Sequence, residues 1–284
     1  MRASLNIFMI VIFFTCSIAG QENKVRLIVR ADDIGVAQSV NQAIIDTYVN
    51  GIVTTVELMV PTPWFPDAVE LLNEHPDINV GIHLTLTSEW SGMKWRPLTN
   101  APGITDADGY FYPMIWPNPN FSDDEVLRNA DWTLEEIEQE FRAQIELALR
   151  HVPRATHITG HMGCGNWHDD VSSLWERLAD EYDLRIFPEE YGVKRMPGWG
   201  RERELERRIE IFINNLENLE PGTYLFVEHP AYDTPEIQGL GHTGYEDVST
   251  DREGVTRVFT DHRVMDAIRE LGIELISYSD LTLQ

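Results

Sequence analysis

Short apolar and β-branched runs alternate along this chain with segments whose apolar residues recur every three or four positions. The runs over residues 25–30 (VRLIVR), 53–60 (VTTVELMV), 79–84 (NVGIHL) and 155–160 (ATHITG) lie next to turn-forming residues and predict buried strands. Residues 184–187, 223–227 (TYLFV) and 273–277 (IELIS) add further strands, making about seven. Helical patterns cover residues 40–49, 66–73, 134–149, 171–181, 202–216 and 261–271. In the third of these, Leu134, Ile137, Phe141, Ile145 and Leu149 share one face, and Thr133 with Glu136 makes a capping box at its start. Such alternation predicts an α/β fold with a parallel sheet and helical crossovers.

Residues 88–131 break the pattern, being rich in Pro, Gly, Trp and Asp with little periodicity. A structureless insert of that length is uncommon in a compact domain unless it is functional. Its aromatics, Trp90, Trp95, Tyr110, Phe111, Tyr112 and Trp116, read equally as a sugar-stacking groove and as satellite core under a long loop. The chain's start differs again: Arg2, an apolar run over residues 5–14, then Ser17 and Ala19 predict a secretory signal peptide over residues 1–20. The run is shorter than the roughly 20 residues a membrane span needs. Residues 21–284 are then expected to form a single exported domain, periplasmic or secreted.

Cleavage would remove Cys16 and leave Cys164 alone, so no disulfide within the chain is expected and the core must supply stability. The formal charge of −25 repels phosphate backbones and anionic lipid heads, which argues against nucleic acid and, after cleavage, against a membrane. An acidic surface also serves solubility alone. Neither a P-loop, a dinucleotide fingerprint nor a G-x-S-x-G elbow is present, and Cys164 has no evident paired base, so nucleotide binding and nucleophilic catalysis are the weaker options.

Four strand ends carry chemistry. Asp32 and Asp33 follow the first run and precede a turn, which places them at the carboxyl end of a parallel sheet. One carboxylate there can bind a cation while its neighbour takes a proton from water. Taken alone, an Asp in this position more often orders the turn. His83 ends its own strand, and His161 follows another; with Asp33 they make a set suited to a divalent cation, Zn²⁺ or Mg²⁺, with positions left for water and substrate. His157 lies deeper in its strand and is expected at most behind the ligands. His229, before Pro230, is a candidate to protonate a leaving amine.

These segments resemble, in order along nearly the whole chain, the YdjC-like carbohydrate deacetylases, relatives of enzymes that remove acetyl groups from chitooligosaccharides. ADDIGVAQSVNQAI is similar to the family's Asp-Asp-Phe-Gly start, GIVTTVELMV to its Gly-x-x-Thr-Ser strand and VGIHLTLT to its Gly-x-His-Leu-x-Leu segment. THITGHMG resembles Thr-His-x-Asp-Ser-His-x-His, and VEHPAYD resembles His-Pro-Gly-Tyr. Glu140, Gln144 and the closing GIELISYSDL have counterparts too. The resemblance implies a parallel-stranded, TIM-barrel-like (β/α) barrel. It further implies a metal held by Asp33, His83 and His161, with Asp32 as general base and His229 as acid, acting on N-acetylated oligosaccharides. Thr159, Gly160, Gly163 and Ala231 depart from the family's Asp, Ser, His and Gly, and Thr159 removes an acidic group that would orient a ligand. Two other readings stay open: a metal-dependent ester or phosphoester hydrolase, and an exported glycan-binding protein with a degenerate site. So does a homodimer.

Overall fold

The computed structural model describes residues 24–281; the expected signal peptide lies outside them. Seven strands form one parallel sheet: β1 (Val25–Ile34), β2 (Thr55–Leu58), β3 (Asn79–Leu84), β4 (His157–Gly160), β5 (Lys194–Arg195), β6 (Gly222–Glu228) and β7 (Glu274–Leu275). Their order is β4-β3-β2-β1-β6-β5, with β7 beside the start of β1. Among the described residues β4 and β5 do not pair with each other, so the curled sheet is a half-barrel, open along that seam. A cavity of about 540 Å³ occupies the seam, lined in part by Arg30, Thr159, Trp175, Phe187 and Tyr278.

Helices α1 (Gln38–Val49), α2 (Phe65–Glu74), α3 (Leu134–His151), α4 (Asp169–Glu181), α5 (Leu205–Glu217), α6 (Pro235–Gln238), α7 (Val248–Phe259) and α8 (His262–Glu270) make up the crossovers. In α3 the capping box forms as expected, with Thr133 accepting from the Glu136 N–H and Glu136 accepting from Thr133. Ile137, Phe141 and Ile145 are buried, each contributing about 1.5–3 kcal/mol of apolar burial. The same face also buries Glu140 and Gln144. Glu140 accepts the backbone N–H groups of Leu98 and Thr99, and Gln144 pairs with both backbone groups of Thr85, so α3 anchors the insert and the chain just beyond His83.

One expected strand does not form, and one helix was not anticipated. Residues 184–187 are not a strand: the Leu184 N–H returns to Ala179 O at the end of α4, and Pro188 opens a 3-10 turn. The edge position is taken instead by the two-residue β5. α7 escaped the periodicity because Arg252 and Gly254 interrupt its apolar stripe; Gly254 is required where the buried Arg208 guanidinium passes, since a Cβ there would strike Arg208 Nη1. The insert is not structureless either. Trp95, Ile104, Phe111, Ile115 and Leu127 join the main core, and two isolated bridges, Thr105 with Phe111 and Met114 with Val126, tie it together. Of its aromatics Trp90, Trp95 and Phe111 are core, while Trp116 is 42% exposed under the Arg128 guanidinium.

Candidate metal centre

β1 runs past Arg30 through both aspartates to Ile34, and its register against β2 slips between Ala31 and Ile34. Asp33 sits there at φ 79°, a left-handed conformation that costs a non-glycine residue about 1–3 kcal/mol. The irregularity explains how consecutive residues reach one place. In a regular strand their side chains would point to opposite faces. Here Asp32 Oδ2 and Asp33 Oδ1 lie 3.8 and 3.7 Å from the same atom, His83 Nε2. The following turn needs Gly35, at φ 113°, where a Cβ would come within 2.6 Å of Met59 O; the Asn41 side chain holds it by accepting the Gly35 N–H at 2.6 Å.

His83 reaches the centre from the end of β3, and His161 from the 3-10 turn that follows β4. Asp33 Oδ1 is 3.3 Å from His161 Nδ1, and one ligating atom from each of the three buried residues lies within 4.8 Å of the others. Metal–ligand bonds of about 2.0–2.2 Å put neighbouring donors of a tetrahedral site about 3.3–3.6 Å apart. The two separations from Asp33 Oδ1, 3.3 and 3.7 Å, lie at that spacing, so the trio could hold a small divalent cation. Asp33 Oδ1 is also buried without a hydrogen-bond partner, whereas its other oxygen accepts from Arg252 Nη2 at 2.8 Å. A buried carboxylate oxygen that has no well-formed hydrogen bond and faces two imidazole nitrogens, at 3.3 and 3.7 Å, suits a ligand atom.

The charges reinforce this division. Burial opposes ionisation of Asp33, but Arg252, then His229 and His161, hold it well below the usual carboxylate range. Burial, and then His161, pushes His83 down to about 3. Burial opposes charge on His161 as well, yet Glu89 and Asp33 outweigh it and push it up to about 10. Each imidazole also has an oxygen behind it: His161 Nε2 faces Glu89 Oε2 at 3.0 Å, and His83 Nδ1 faces Thr159 Oγ1 at 2.8 Å.

Asp32 stands beside the trio and is bound in a fork by Arg30, at 2.7 and 2.9 Å. The two are two residues apart on one strand and so share a face. His229 follows β6, half-exposed; burial opposes its protonation, but Asp33 and then Glu228 raise its pKa. His157 is not in the centre: it stacks on Tyr278 at 3.9 Å and bonds to Glu57 at 2.8 Å. Cys164 is buried with its thiol directed to Leu84 O.

Sequence reasoning missed Glu57, Glu89, Arg30 and Arg252. Glu57 had a signal, being the one charged residue inside VTTVELMV; Arg30 had one in its spacing from Asp32. Glu89 and Arg252 had none, since one opens an aperiodic insert and the other lies on a helix the pattern did not reveal.

The family model described as YdjC-like protein matches residues 26–270. Carbohydrate deacetylase 2 of Listeria innocua is 29% identical over 269 residues, covering 90% of this chain and 98% of that protein. The carbohydrate deacetylase of Thermus thermophilus is 30% identical over 236 residues, 75% of this chain and 80% of that one. A crystal structure of an Enterococcus faecalis protein, provisionally named for cellobiose-phosphate cleavage, superposes with a TM-score of 0.71 at 23% identity, covering 92% of this chain and 99% of that one. It shares the fold.

Proposed function

We propose that this chain, which belongs to the YdjC-like family, is a metal-dependent carbohydrate N-deacetylase that hydrolyses the acetamide of N-acetylated amino-sugar oligosaccharides. The observation that carries the reading is the buried trio of Asp33, His83 and His161 with Asp33 Oδ1 left without a hydrogen bond. The relatives named carbohydrate deacetylases, matched over nearly their whole length, supply the substrate class. Residues 1–20 serve in this proposal as an export signal, and residues 21–284 as one deacetylase-like domain acting in the periplasm or outside the cell.

A divalent cation held by Asp33, His83 and His161 would polarise the acetamide carbonyl and lower the pKa of water. Asp32 takes the proton of the attacking water; the Arg30 fork fixes its orientation and still leaves each carboxylate oxygen a free lone pair. His229, whose pKa the neighbouring carboxylates raise, gives a proton to the departing nitrogen. One C–O bond forms as the C–N bond breaks, and acetate and a free amino sugar leave. The direct test is acetate release from N-acetylglucosamine oligomers, expected to stop with a chelator and return with Zn²⁺ or another divalent ion. Turnover that persists in metal-free protein, or glycan binding with no acetate at any divalent ion, overturns the proposal.

A pH dependence follows from His161. Its pKa in the cation-free protein, about 10, lies above the unfolded value near 6.5. Its contribution to stability is therefore full below about pH 6.5 and lost as pH rises toward 10. Cation binding must expel that proton, so affinity should rise up to about tenfold per pH unit across the same window. Titration calorimetry in buffers of different ionisation enthalpy should show about one proton released per ion near neutral pH. Affinity that is flat with pH would refute it.

A further inference from the structure

We propose that Thr159 and Glu57 act as positioning residues that hold His83 with its proton on Nδ1, so that Nε2 presents a bare lone pair toward Asp33 Oδ1. The inference rests on the metal-centre reading above for its purpose, and on hydrogen-bond counting for its content.

Glu57 lies wholly inside the sheet, on β2. One of its oxygens accepts from His157 Nε2 at 2.8 Å and the other is in a short contact with the Thr159 hydroxyl. An ionised carboxylate only accepts, so the Thr159 hydroxyl must donate to it. A hydroxyl has one proton. Thr159 Oγ1 therefore meets His83 Nδ1, 2.8 Å away, as an acceptor, and the imidazole must carry its proton there. The far end of the network agrees. With His157 Nε2 donating to Glu57, His157 Nδ1 accepts from Thr156 Oγ1 at 2.8 Å, and Thr156 Oγ1 in turn accepts from Asn79 Nδ2 at 3.0 Å. With Glu57 a carboxylate, the directions at Thr159 and His83 cannot reverse without leaving a buried group unpaired; at the far end the Thr156 hydroxyl also has Val80 O as an acceptor, at 3.5 Å.

The strand register builds this. Glu57, Gly81 and His157 lie in one row across β2, β3 and β4, and His83 pairs with Thr159 two residues farther on. Glu57 and His157 meet above Gly81, where a Cβ would collide with both. The glycine in VGIHL is thus the gap through which the carboxylate reaches the histidine row. A carboxylate standing one hydroxyl away does for His83 what Glu89 does directly for His161, and the position of Thr159 is not a lost acceptor but a link to one.

The tautomer can be read in cation-free protein from long-range ¹H–¹⁵N spectra of the His83 ring. Wild type and Thr159→Ser should show the proton on Nδ1. Thr159→Val, which keeps shape and removes the hydroxyl, should lose that preference and bind Zn²⁺ about 10–100-fold more weakly. The double variant Glu57→Gln with Thr159→Asp moves the carboxylate into direct reach of Nδ1 and should recover Zn²⁺ affinity to within a few-fold of wild type. Thr159→Asp alone sets two carboxylates against each other and should be worse than the double variant. A folded Thr159→Val with wild-type tautomer and affinity overturns the proposal; so does a double variant no better than the weaker single one. Because the tautomer is read without cation or substrate, a wild-type chain that releases no acetate would sink the deacetylase reading and leave this one standing.

Discussion

Asp33→Asn is expected to weaken divalent-cation binding by about 10²–10⁴-fold and to bring acetate release down with it, because it neutralises the one charged donor of the trio. That factor corresponds to about a third of the roughly 10–16 kcal/mol that a structural zinc site contributes, at about 1.4 kcal/mol per tenfold. Asp33 has a second task, and the same substitution exposes it. Its other oxygen neutralises Arg252, whose side chain is 5% exposed and whose Nε and Nη1 have no partner among the described residues. Removing one member of a buried ion pair costs about 3–5 kcal/mol, so Asp33→Asn should also lower thermal stability. Pairing it with Arg252→Met removes both charges and should restore most of that stability while leaving cation affinity as low as in the single variant. Calorimetry and thermal unfolding on the four proteins separate the two tasks. Recovery of cation binding in the double variant would show that Asp33 serves only as the counter-charge of Arg252.

Asp32→Asn should behave in the opposite way. It lies 3.8 Å from His83 Nε2 but is outside the trio, held instead by the Arg30 guanidinium. Loss of a general base lowers rate by about 10²–10⁴-fold. The fall should therefore appear in kcat, with KM and Zn²⁺ affinity changed no more than a few-fold. Arg30 keeps the Tyr278 hydroxyl at 3.0 Å and the nearby Glu57 carboxylate, so the fold should survive. A variant that loses the cation together with the rate would assign Asp32 to the metal and reopen the division between the two aspartates.

The chain's periodicity announced most of its elements. β3 appears over the residues the pattern marked, and α1 to α5 lie within a few residues of expectation. These features were legible because an apolar run or a three-four repeat is a local property that any buried strand or helix must show. The exceptions are places where apolar residues serve another element: Leu184 closes the end of α4, Phe187 lines the seam, and the stripe of α7 is broken by the passage of Arg208. Likewise the aromatic insert looked irregular because its order is tertiary. Its segments are held by the Glu140 carboxylate and by burial of Trp95 and Phe111, not by repeats of their own.

For the candidate site the boundary is sharper. That Asp33, His83 and His161 would converge could be read from sequence, because strand ends of a parallel sheet meet at one edge and each of these residues ends or follows a strand. What only the tertiary structure decided is how they meet. The bulge and left-handed Asp33 put both aspartates on one imidazole nitrogen, Arg30 and Arg252 each claim a different one, and Glu57 reaches His83 through Thr159 over a glycine. None of this is periodic. A ligand's partners are set by the register between strands distant along the chain, where a shift of one residue turns a side chain to the other face.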